Sequence, residues 1–512
     1  MSSAASKPAG AHPPQRALAG LLGILIAAMM AGLNNRVGAL ALADIRGTLG
    51  YSLDSASWLT TVYSAGELIA MPFAAWFAIT LSMRRFEIWM ISLCTILALI
   101  LPFIQNLNLL LLLRFIQGIA SGTMIPLLMM AALKFLPIHV RLHGLALYAL
   151  TATFTPNLSI WLTGYWTDGI FNWRWVYWQI IPLAMIAAGL IAWGLPKDQI
   201  QKNRFSQANW TGMVLGVPAL GLITIVLDQG IRLDWFNSPL ITVSLVGGLT
   251  LLVVYLLTEW YHPSPFIKLQ ILSRRNLGLG FSIFLFLLIV LTSGALLPIR
   301  YLASIQDYRP QQMASIGLII ALPQLILGSI VANFLYKKWI DARWVFASGL
   351  FLIALSCFLG THLTSDWNKD QFITIQVLQA FGQPMAIVSM LFLCTSVVQP
   401  AEGPYVSGTI NTLRAFGSLF GGAVVGQFMI SRGHFHTEML IDHTALNSQI
   451  IQTPPEPVQL IGMTNQQSLV LSVADTYQVL GVLALILIPF VLRLAYIPAP
   501  DLQQAPTPPS SQ

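Results

Sequence analysis

Four ionisable residues are prominent inside long apolar runs of this 512-residue sequence, and they are the first candidates for chemistry. They are Arg36, Glu67, Arg114 and Arg414. A charge in apolar surroundings is costly, so each of these residues needs a partner or a function. Burial favours the neutral form of a carboxyl group, and Glu67 is therefore a candidate for reversible proton binding. In the alternative interpretation, Glu67 only neutralises Arg36, while Arg36 and Arg414 extend to polar surroundings or make structural hydrogen bonds.

The composition predicts that these residues belong to a membrane protein. Hydrophobic residues make up 56% of the chain and charged residues only 9%, whereas soluble domains carry about 25% charged residues. The composition therefore argues against a soluble enzyme, a nucleic-acid-binding protein and a disordered scaffold. The net charge of +7 is typical of basic cytoplasmic loops. The three cysteines stand in apolar runs without paired spacing, and neither a disulfide framework nor a metal site is predicted.

Fourteen apolar runs are long enough to cross about 30 Å of hydrocarbon as helices of about 20 residues. The expected spans are 18–42, 57–79, 86–104, 109–132, 143–166, 174–194, 210–228, 239–258, 278–299, 313–335, 343–361, 372–394, 404–429 and 469–494. With the N-terminus inside, sixteen of the 26 Lys and Arg residues lie on the cytoplasmic side and seven on the outer side. The sequence therefore predicts an all-α polytopic membrane protein with both termini in the cytoplasm.

A faint internal repeat predicts the domain organisation. The loop after the second span contains Arg84 and Arg85, and the loop after the tenth span, with Asp341 and Arg343, has a similar basic pattern. We expect two six-helix halves with the seventh and eighth spans inserted between them. The expected parts are a cytoplasmic tail 1–17, an N-terminal half 18–194, a linker with the inserted pair 195–277, a C-terminal half 278–494 with an outer loop 430–468, and a disordered cytoplasmic tail 495–512.

Other residues suggest packing or aromatic roles. Gly417 and Gly421 belong to interleaved G-x-x-x-G pairs, which let helices approach closely. Pro156 and Gly164 are also expected to have helix-packing roles. Trp161 stands near the outer end of a span, as interfacial aromatic residues do, and lining of a cavity is the alternative. The three histidines of the loop 430–468 are more typical of a solvated loop than of a metal site.

Several motifs resemble one family. Arg114-Phe-Ile-Gln117-Gly118 resembles the R-x-x-Q-G signature in the fourth helix of the major facilitator superfamily. Four further segments are similar to the fourteen-helix drug:proton antiporters of the EmrB/QacA type, and with the signature they cover nearly the whole chain. They are Asp168 with Trp173-Arg174-Trp175, LDQGIRLDWFNSP (227–239), PFIKLQILSRRN (265–276) and Asn411-x-x-Arg414-x-x-Gly417-Ser418.

The resemblance implies a major facilitator fold and proton-driven export of amphipathic or lipophilic compounds across the inner membrane by alternating access. It implies a substrate cavity with Asn34, Arg36, Gln117, Trp161, Asn411 and Arg414, and gating loops with Arg84, Arg85, Asp341 and Arg343. The expected partners are a small-molecule substrate, protons and the lipid bilayer, with no nucleic acid. The resemblance also allows a periplasmic membrane-fusion adaptor and an outer-membrane channel.

The sequence departs from the family at three places. The usual first-span acid is replaced by Asn34, and the loop after the second span reads Ile79-Thr80-Leu81-Ser82 before its basic pair. The fifth-helix antiporter motif aligns with Ser159-Ile160 and Thr163-Gly164, while its proline stands one turn earlier at Pro156. Our hypothesis is that Glu67 takes over proton or cation binding from the missing acid and that Arg114 tunes it electrostatically.

The sequence contains no nucleotide-binding P-loop pattern, so an ion gradient is the expected source of energy. No Ser/His/Asp order and no pair of intramembrane carboxylates is found, and we predict neither an enzyme nor a cofactor. Two alternatives to multidrug export stay open. One is a dedicated transporter of a single endogenous metabolite, such as a siderophore or a fatty acid, and the other is a membrane scaffold or sensor that transports nothing.

Overall fold

The computed structural model describes residues 14–447 and 457–500. Its first eight α-helices are α1 (Pro14–Leu40), α2 (Leu42–Leu49), α3 (Leu53–Leu81), α4 (Met83–Ile100), α5 (Leu107–Phe135), α6 (Ile138–Gly164), α7 (Trp175–Trp178) and α8 (Ile180–Gly194). The others are α9 (Trp210–Gln229), α10 (Pro239–Tyr261), α11 (Arg275–Ile305), α12 (Pro310–Leu335), α13 (Ala342–Gly360), α14 (Ile373–Thr395), α15 (Gly403–Asn447) and α16 (Pro457–Leu492). Parts of both expected tails and of the expected outer loop, namely residues 1–13, 448–456 and 501–512, lie outside the described residues.

Thirteen helical segments of the described chain are long and apolar enough to cross a membrane. The remaining expected span, 143–166, is α6, whose 27 residues extend for about 40 Å. Its Thr, Ser and Asn residues lower its hydropathy, but side chains such as Asn157 and Thr163 are buried and donate to carbonyl groups one turn earlier. Contacts with α1, α12 and α14 cover this polar helix. The prediction of an all-α polytopic membrane protein is confirmed, and the side that each terminus faces stays a prediction.

Helices α3 and α5 pack backbone to backbone through glycines. A Cβ atom on Gly118 would lie 2.2 Å from the carbonyl oxygen of Tyr63, and one on Gly122 would lie 2.3 Å from that of Glu67. Only glycine permits this approach, as small residues do where membrane helices cross closely. This contact fixes the position of Glu67 along the helix axis relative to α5.

Helices α1–α8 and α11–α16 form two groups that contact along α6 and α12. At one end, the backbone N–H of Leu142 donates to the Tyr336 hydroxyl at 3.1 Å. At the other end, a Cβ atom on Gly164 would lie 2.4 Å from the Cα atom of Gln311. A second contact between the groups joins α3 to α15. The inserted helices α9 and α10 pack on each other, and α9 also contacts α3 and α15.

The expectation of a loop over 430–468 is wrong for its described residues, because α15 continues to Asn447 and α16 begins at Pro457. Arg432 and His436, one turn apart on α15, contact Asp475 of α16 at 2.6 and 2.7 Å. At 45 residues, α15 is about 68 Å long, which is more than twice the hydrocarbon thickness of about 30 Å. Hydropathy detects only the part of such a helix that lies in hydrocarbon, so its polar continuation is mistaken for a loop.

Candidate functional site

The Glu67 carboxyl group lies where helices from both groups meet. Glu67 is 9% exposed, and the Asn35 side chain donates to its Oε2 atom at 2.5 Å. Arg36 on α1 and Arg414 on α15 are the charged side chains whose electrostatic fields act on this carboxyl group. Asn35 and Arg36 follow each other in α1, so one helix supplies both a hydrogen bond and a positive charge. The structure therefore joins three of the expected residues: Glu67, Arg36 and Arg414.

Arg36 and Arg414 each form a hydrogen bond between the two helix groups. Arg36 Nη2 donates to Ser418 Oγ on α15 at 2.9 Å, and Arg414 Nη1 donates to Thr151 Oγ1 on α6 at 2.5 Å. Asn411, one turn before Arg414, accepts a 2.9 Å hydrogen bond from the Tyr148 hydroxyl of α6. Arg36 is exposed to solvent in this structure.

Arg114 contacts other side chains than Glu67, and its expected electrostatic influence on Glu67 stays a prediction. Its guanidinium donates to Gln117 Oε1 at 2.7 Å and lies 4.3 Å from the ring centre of Tyr63. Asn34 belongs to the same cluster, because it donates to the Tyr63 hydroxyl at 3.1 Å. The reason is the register of α3 and α5: Gly122 is opposite Glu67, and Arg114 lies about 12 Å further along α5.

The expected gating residues lie apart from this centre. Arg84 Nη1 donates to the carbonyl oxygen of Leu195 at 3.3 Å, and Arg85 is exposed. Asp341 caps α13 and forms a 2.7 Å ion pair with Arg343. These contacts tie each loop to a neighbouring segment or helix end.

Trp161 is also outside the cluster. It stacks on Tyr165 with ring centres 5.7 Å apart and lies about 15 Å along α6 from Thr151. Among the expected packing residues, Pro156 lies inside α6, and a Cβ atom on Gly417 would come within 2.6 Å of the Leu288 side chain. Gly421 faces the backbone of Ile289 in the same contact of α15 with α11.

Sequence reasoning missed three further carboxyl groups. Asp228 accepts a short hydrogen bond from the Thr61 hydroxyl, and Glu259 accepts from Asn209 at 2.9 Å. Glu87 is fully buried, and both of its carboxyl oxygens lack a hydrogen-bond partner. Asp228 and Glu87 lie at the ends of the expected spans 210–228 and 86–104, so the search for carboxyl groups in the middle of apolar runs passed over them. Within the described ranges, no group of three His, Cys, Asp or Glu residues could hold a metal ion.

Comparison with known proteins decides the family. The profile of the Major Facilitator Superfamily matches residues 24–296, which is more than half of the chain. The chain belongs to the major facilitator superfamily. It is similar to the multidrug export protein EmrB of Escherichia coli K12, with 25% identity over 459 residues that cover 87% of each chain. It is also similar to the fatty acid resistance protein FarB of Neisseria gonorrhoeae, with 23% identity over 452 residues that cover 88% of each chain.

The fold of this superfamily member agrees with solved structures. The human organic anion transporter MFSD10 superimposes with a TM-score of 0.56 and 14% identity, covering 94% of this chain and all of the other. The predicted resemblance to the EmrB/QacA type is confirmed by the similarity to EmrB. Membership of this transporter family also confirms the prediction that the chain is not an enzyme. The protein is a multi-pass inner-membrane transporter of a small-molecule substrate.

Proposed function

We propose that this transporter exports amphipathic or lipophilic organic compounds, driven by protons that bind to Glu67. One observation carries the proposal: Asn35, which donates to Glu67, precedes Arg36 on α1, and Arg36 and Arg414 each form a hydrogen bond from one helix group to the other. A change in the charge of this carboxyl group therefore acts on the contacts between the groups. The similarity to a multidrug export protein supports the same function.

The charges suggest how the coupling works. Ionised Glu67 balances part of the positive charge of Arg36 and Arg414, and it thereby stabilises the state in which α1, α6 and α15 are close together. Protonation removes that balance, so the two cations repel each other and the contacts through α15 weaken. A proton that binds to Glu67 from one side of the membrane and is released to the other side then shifts the equilibrium between the two states of alternating access.

The wider arrangement follows from the expected topology. The halves 18–194 and 278–494 would rock about the Glu67 centre, with both termini in the cytoplasm and the gating loops of Arg84 and Arg343 at the cytoplasmic side. Asn34 and Gln117 would line the N-terminal wall of the cavity. A periplasmic membrane-fusion adaptor and an outer-membrane channel are proposed as further partners.

A second candidate function is export of one class of anionic metabolite that resembles a fatty acid. Two arginines face a single carboxyl group in the centre, so this region favours a negatively charged ligand. The similarity to a fatty acid resistance protein over 88% of each chain points in the same direction. The two candidates share one mechanism and differ in the breadth of their substrates.

Transport into everted membrane vesicles tests the function. The probes are a lipophilic cationic dye and a fluorescent long-chain fatty acid, each with and without an imposed pH gradient. We expect gradient-dependent uptake of at least one probe by the wild type and its loss in Glu67→Gln. Glu438→Gln, which changes an exposed carboxyl group of α15, is the control and should transport like the wild type. Full gradient-dependent transport by correctly inserted Glu67→Gln would refute the role of Glu67.

A further inference from the structure

The inserted helix α9 brings a second carboxyl group to the helix that carries Glu67. The Thr61 hydroxyl of α3 donates to Asp228 Oδ2, and the Gln229 side chain donates to the same hydroxyl oxygen at 2.5 Å. Thr61 is fully buried and Gln229 is 2% exposed. The Asp228 carboxyl group thus lies in the contact between α9 and α3.

The neighbours of Asp228 suit proton binding. Its side-chain hydrogen bond comes from the neutral hydroxyl of Thr61, which in turn accepts from the neutral amide of Gln229. Asp54, which lies nearby, is instead held in a 2.8 Å ion pair with Arg232. Because Asp228 is bonded to neutral groups, it can take up a proton without losing an ion pair, whereas Asp54 cannot.

A polar route leads from the surface to Asp228. The side chain of Asp54 is 77% exposed, and its partner Arg232 also donates to Gln229 Oε1 at 2.5 Å. Ser57 contacts the same Gln229 oxygen at 3.4 Å. These groups form a continuous hydrogen-bonded cluster at the end of α3 that we predict to be outside.

The same face of α3 continues to Glu67. Ser57, Thr61, Ser64 and Glu67 are separated by steps of four, three and three residues, which places them along one side of a helix. Thr61 and Glu67 are about 9 Å apart along the helix axis, with Ser64 between them. Arg36 and Arg414 face the inner end of this stripe, and Asp54 and Arg232 face its outer end.

We propose that Asp228 is a proton-binding group on the access path from the outer side to Glu67, and that the inserted helix α9 supplies it. This inference rests on the proposed function of Glu67. A hydronium ion transfers a proton to the Asp228 carboxylate. The O–H bond on Asp228 then breaks while an O–H bond forms on Glu67, with the Ser64 hydroxyl or a water molecule as the relay, and the Asp228 carboxylate is restored.

The turn that follows α9 also contacts α15, the helix whose contacts weaken in the proposed mechanism. The indole N–H of Trp235 donates to Gln427 Oε1 on α15 at 2.7 Å, and a Cβ atom on Gly426 would lie 2.6 Å from the Ile231 side chain. Movement of α15 therefore alters the surroundings of the path just beyond Asp228. Proton access and the arrangement of the two helix groups are in this way linked through α9 and the turn that follows it.

The test separates proton delivery from substrate transport. Purified protein in liposomes is assayed for pH-gradient-driven transport of the probe that the wild type moves, and for exchange of that probe without a gradient. In Asp228→Asn, which keeps an acceptor for Thr61, we expect the gradient-driven initial rate to fall on the order of 100-fold and the exchange rate to stay unchanged. Asp228→Glu should restore gradient-driven transport. Asp234→Asn, which changes a surface carboxyl group paired with Asn237, is the matched control and should behave as the wild type.

Three outcomes would overturn the proposal. Full gradient-driven transport by Asp228→Asn, together with its loss in Glu67→Gln, would refute the role of Asp228 and leave that of Glu67 intact. Equal loss of exchange and of gradient-driven transport in Asp228→Asn, without recovery in Asp228→Glu, would assign Asp228 a structural role only. Absence of gradient-driven transport in the wild type would refute the proposed function and this inference together.

Discussion

Arg36 and Ser418 are 382 positions apart in the sequence and are joined by a 2.9 Å hydrogen bond between α1 and α15. The bond connects the helix that supplies Asn35 to Glu67 with the helix that carries Arg414. In the proposed mechanism, a proton on Glu67 acts on this contact between the two helix groups.

The first prediction concerns this bond. Ser418→Ala should slow gradient-driven transport because Arg36 loses its acceptor, and a hydrogen bond to a charged group contributes about 1.5–3 kcal/mol, which corresponds to about tenfold or more. Ser418→Ala in the Arg36→Gln background should add little, since Arg36→Gln has already removed the bond. Initial rates of wild type, both single variants and the double variant measure this coupling. Independent, additive losses would show that the two residues do not act together.

The second prediction concerns the contact that fixes Glu67. Gly122→Ala should lower the free energy of unfolding by about 1–3 kcal/mol, because its Cβ atom would lie 2.3 Å from the carbonyl oxygen of Glu67 and must push α3 and α5 apart. Thermal unfolding of the purified protein in detergent measures the change. Gly422→Ala is the matched control, since a Cβ atom there meets nothing within 4 Å. Equal unfolding temperatures of the two variants would contradict the prediction.

The helices were largely predictable from the sequence, and the reason is physical. An apolar run of about 20 residues in a bilayer must satisfy its backbone groups internally, and a helix does so. The expected spans 57–79 and 210–228 accordingly lie within α3 and α9. The C-terminal part of α15 is polar and therefore lacks the signal of an apolar run. Contacts with α16, such as that between Arg432 and Asp475, hold this part of the helix in place.

The candidate site was predictable only in part. Glu67 was identified because a carboxyl group in the middle of an apolar run is unusual. Its partner Arg414 could not be assigned, since the rotation and register of packed helices decide which side chains meet. The same reason explains why the neighbour of Arg114 on α3 is Tyr63 rather than Glu67. The hydrogen bond from Thr61 to Asp228 likewise depends on how α9 docks against α3.

The third prediction concerns pH and the linker that follows the inserted pair. Arg274 binds both carboxyl oxygens of Glu402 at 2.7 and 2.9 Å, and Lys268 lies 3.6 Å away. Desolvation of Glu402 opposes its ionisation, but the hydrogen bonds from Arg274 and the Gln399 backbone, together with the positive charges of Arg274 and Lys268, outweigh it. The pKa of Glu402 therefore lies below the ordinary 4.5. The ion pair therefore stabilises the fold above about pH 4.5, and this contribution is lost as the pH falls through the lowered pKa.

Glu402→Gln should accordingly lower the free energy of unfolding by about 2 kcal/mol at neutral pH. The difference from the wild type should disappear as the pH falls through the lowered pKa of Glu402, because Glu402 of the wild type then also becomes protonated. Unfolding temperatures measured in detergent across this range check the prediction. Glu438→Gln is the control and should differ little from the wild type at any pH. A constant difference between Glu402→Gln and the wild type would rule out the ion pair as its cause.

The fourth prediction concerns Arg309, which joins the two helix groups at the end predicted to be outside. Arg309 Nε donates to Asp168 Oδ1 at 2.7 Å, and its Nη2 atom donates to Asp44 Oδ1 at 2.9 Å. The backbone N–H of Gln311 donates to the other Asp168 oxygen at 3.0 Å. The Asp168 side chain is only 9% exposed, so loss of Arg309 leaves a poorly solvated carboxylate. This destabilises the closed arrangement at that end relative to the open one.

Arg309→Gln should therefore open the cavity that Asp168 and Thr167 line. A cysteine introduced by Thr167→Cys reports the opening, because Thr167 is 7% exposed and the three native cysteines are fully buried. We expect a membrane-impermeant maleimide to label it about tenfold faster in the Arg309→Gln background, the equivalent of about 1.4 kcal/mol. Arg309→Lys keeps the charge and should give an intermediate rate. If all three backgrounds label equally, the contacts of Arg309 do not hold this end closed.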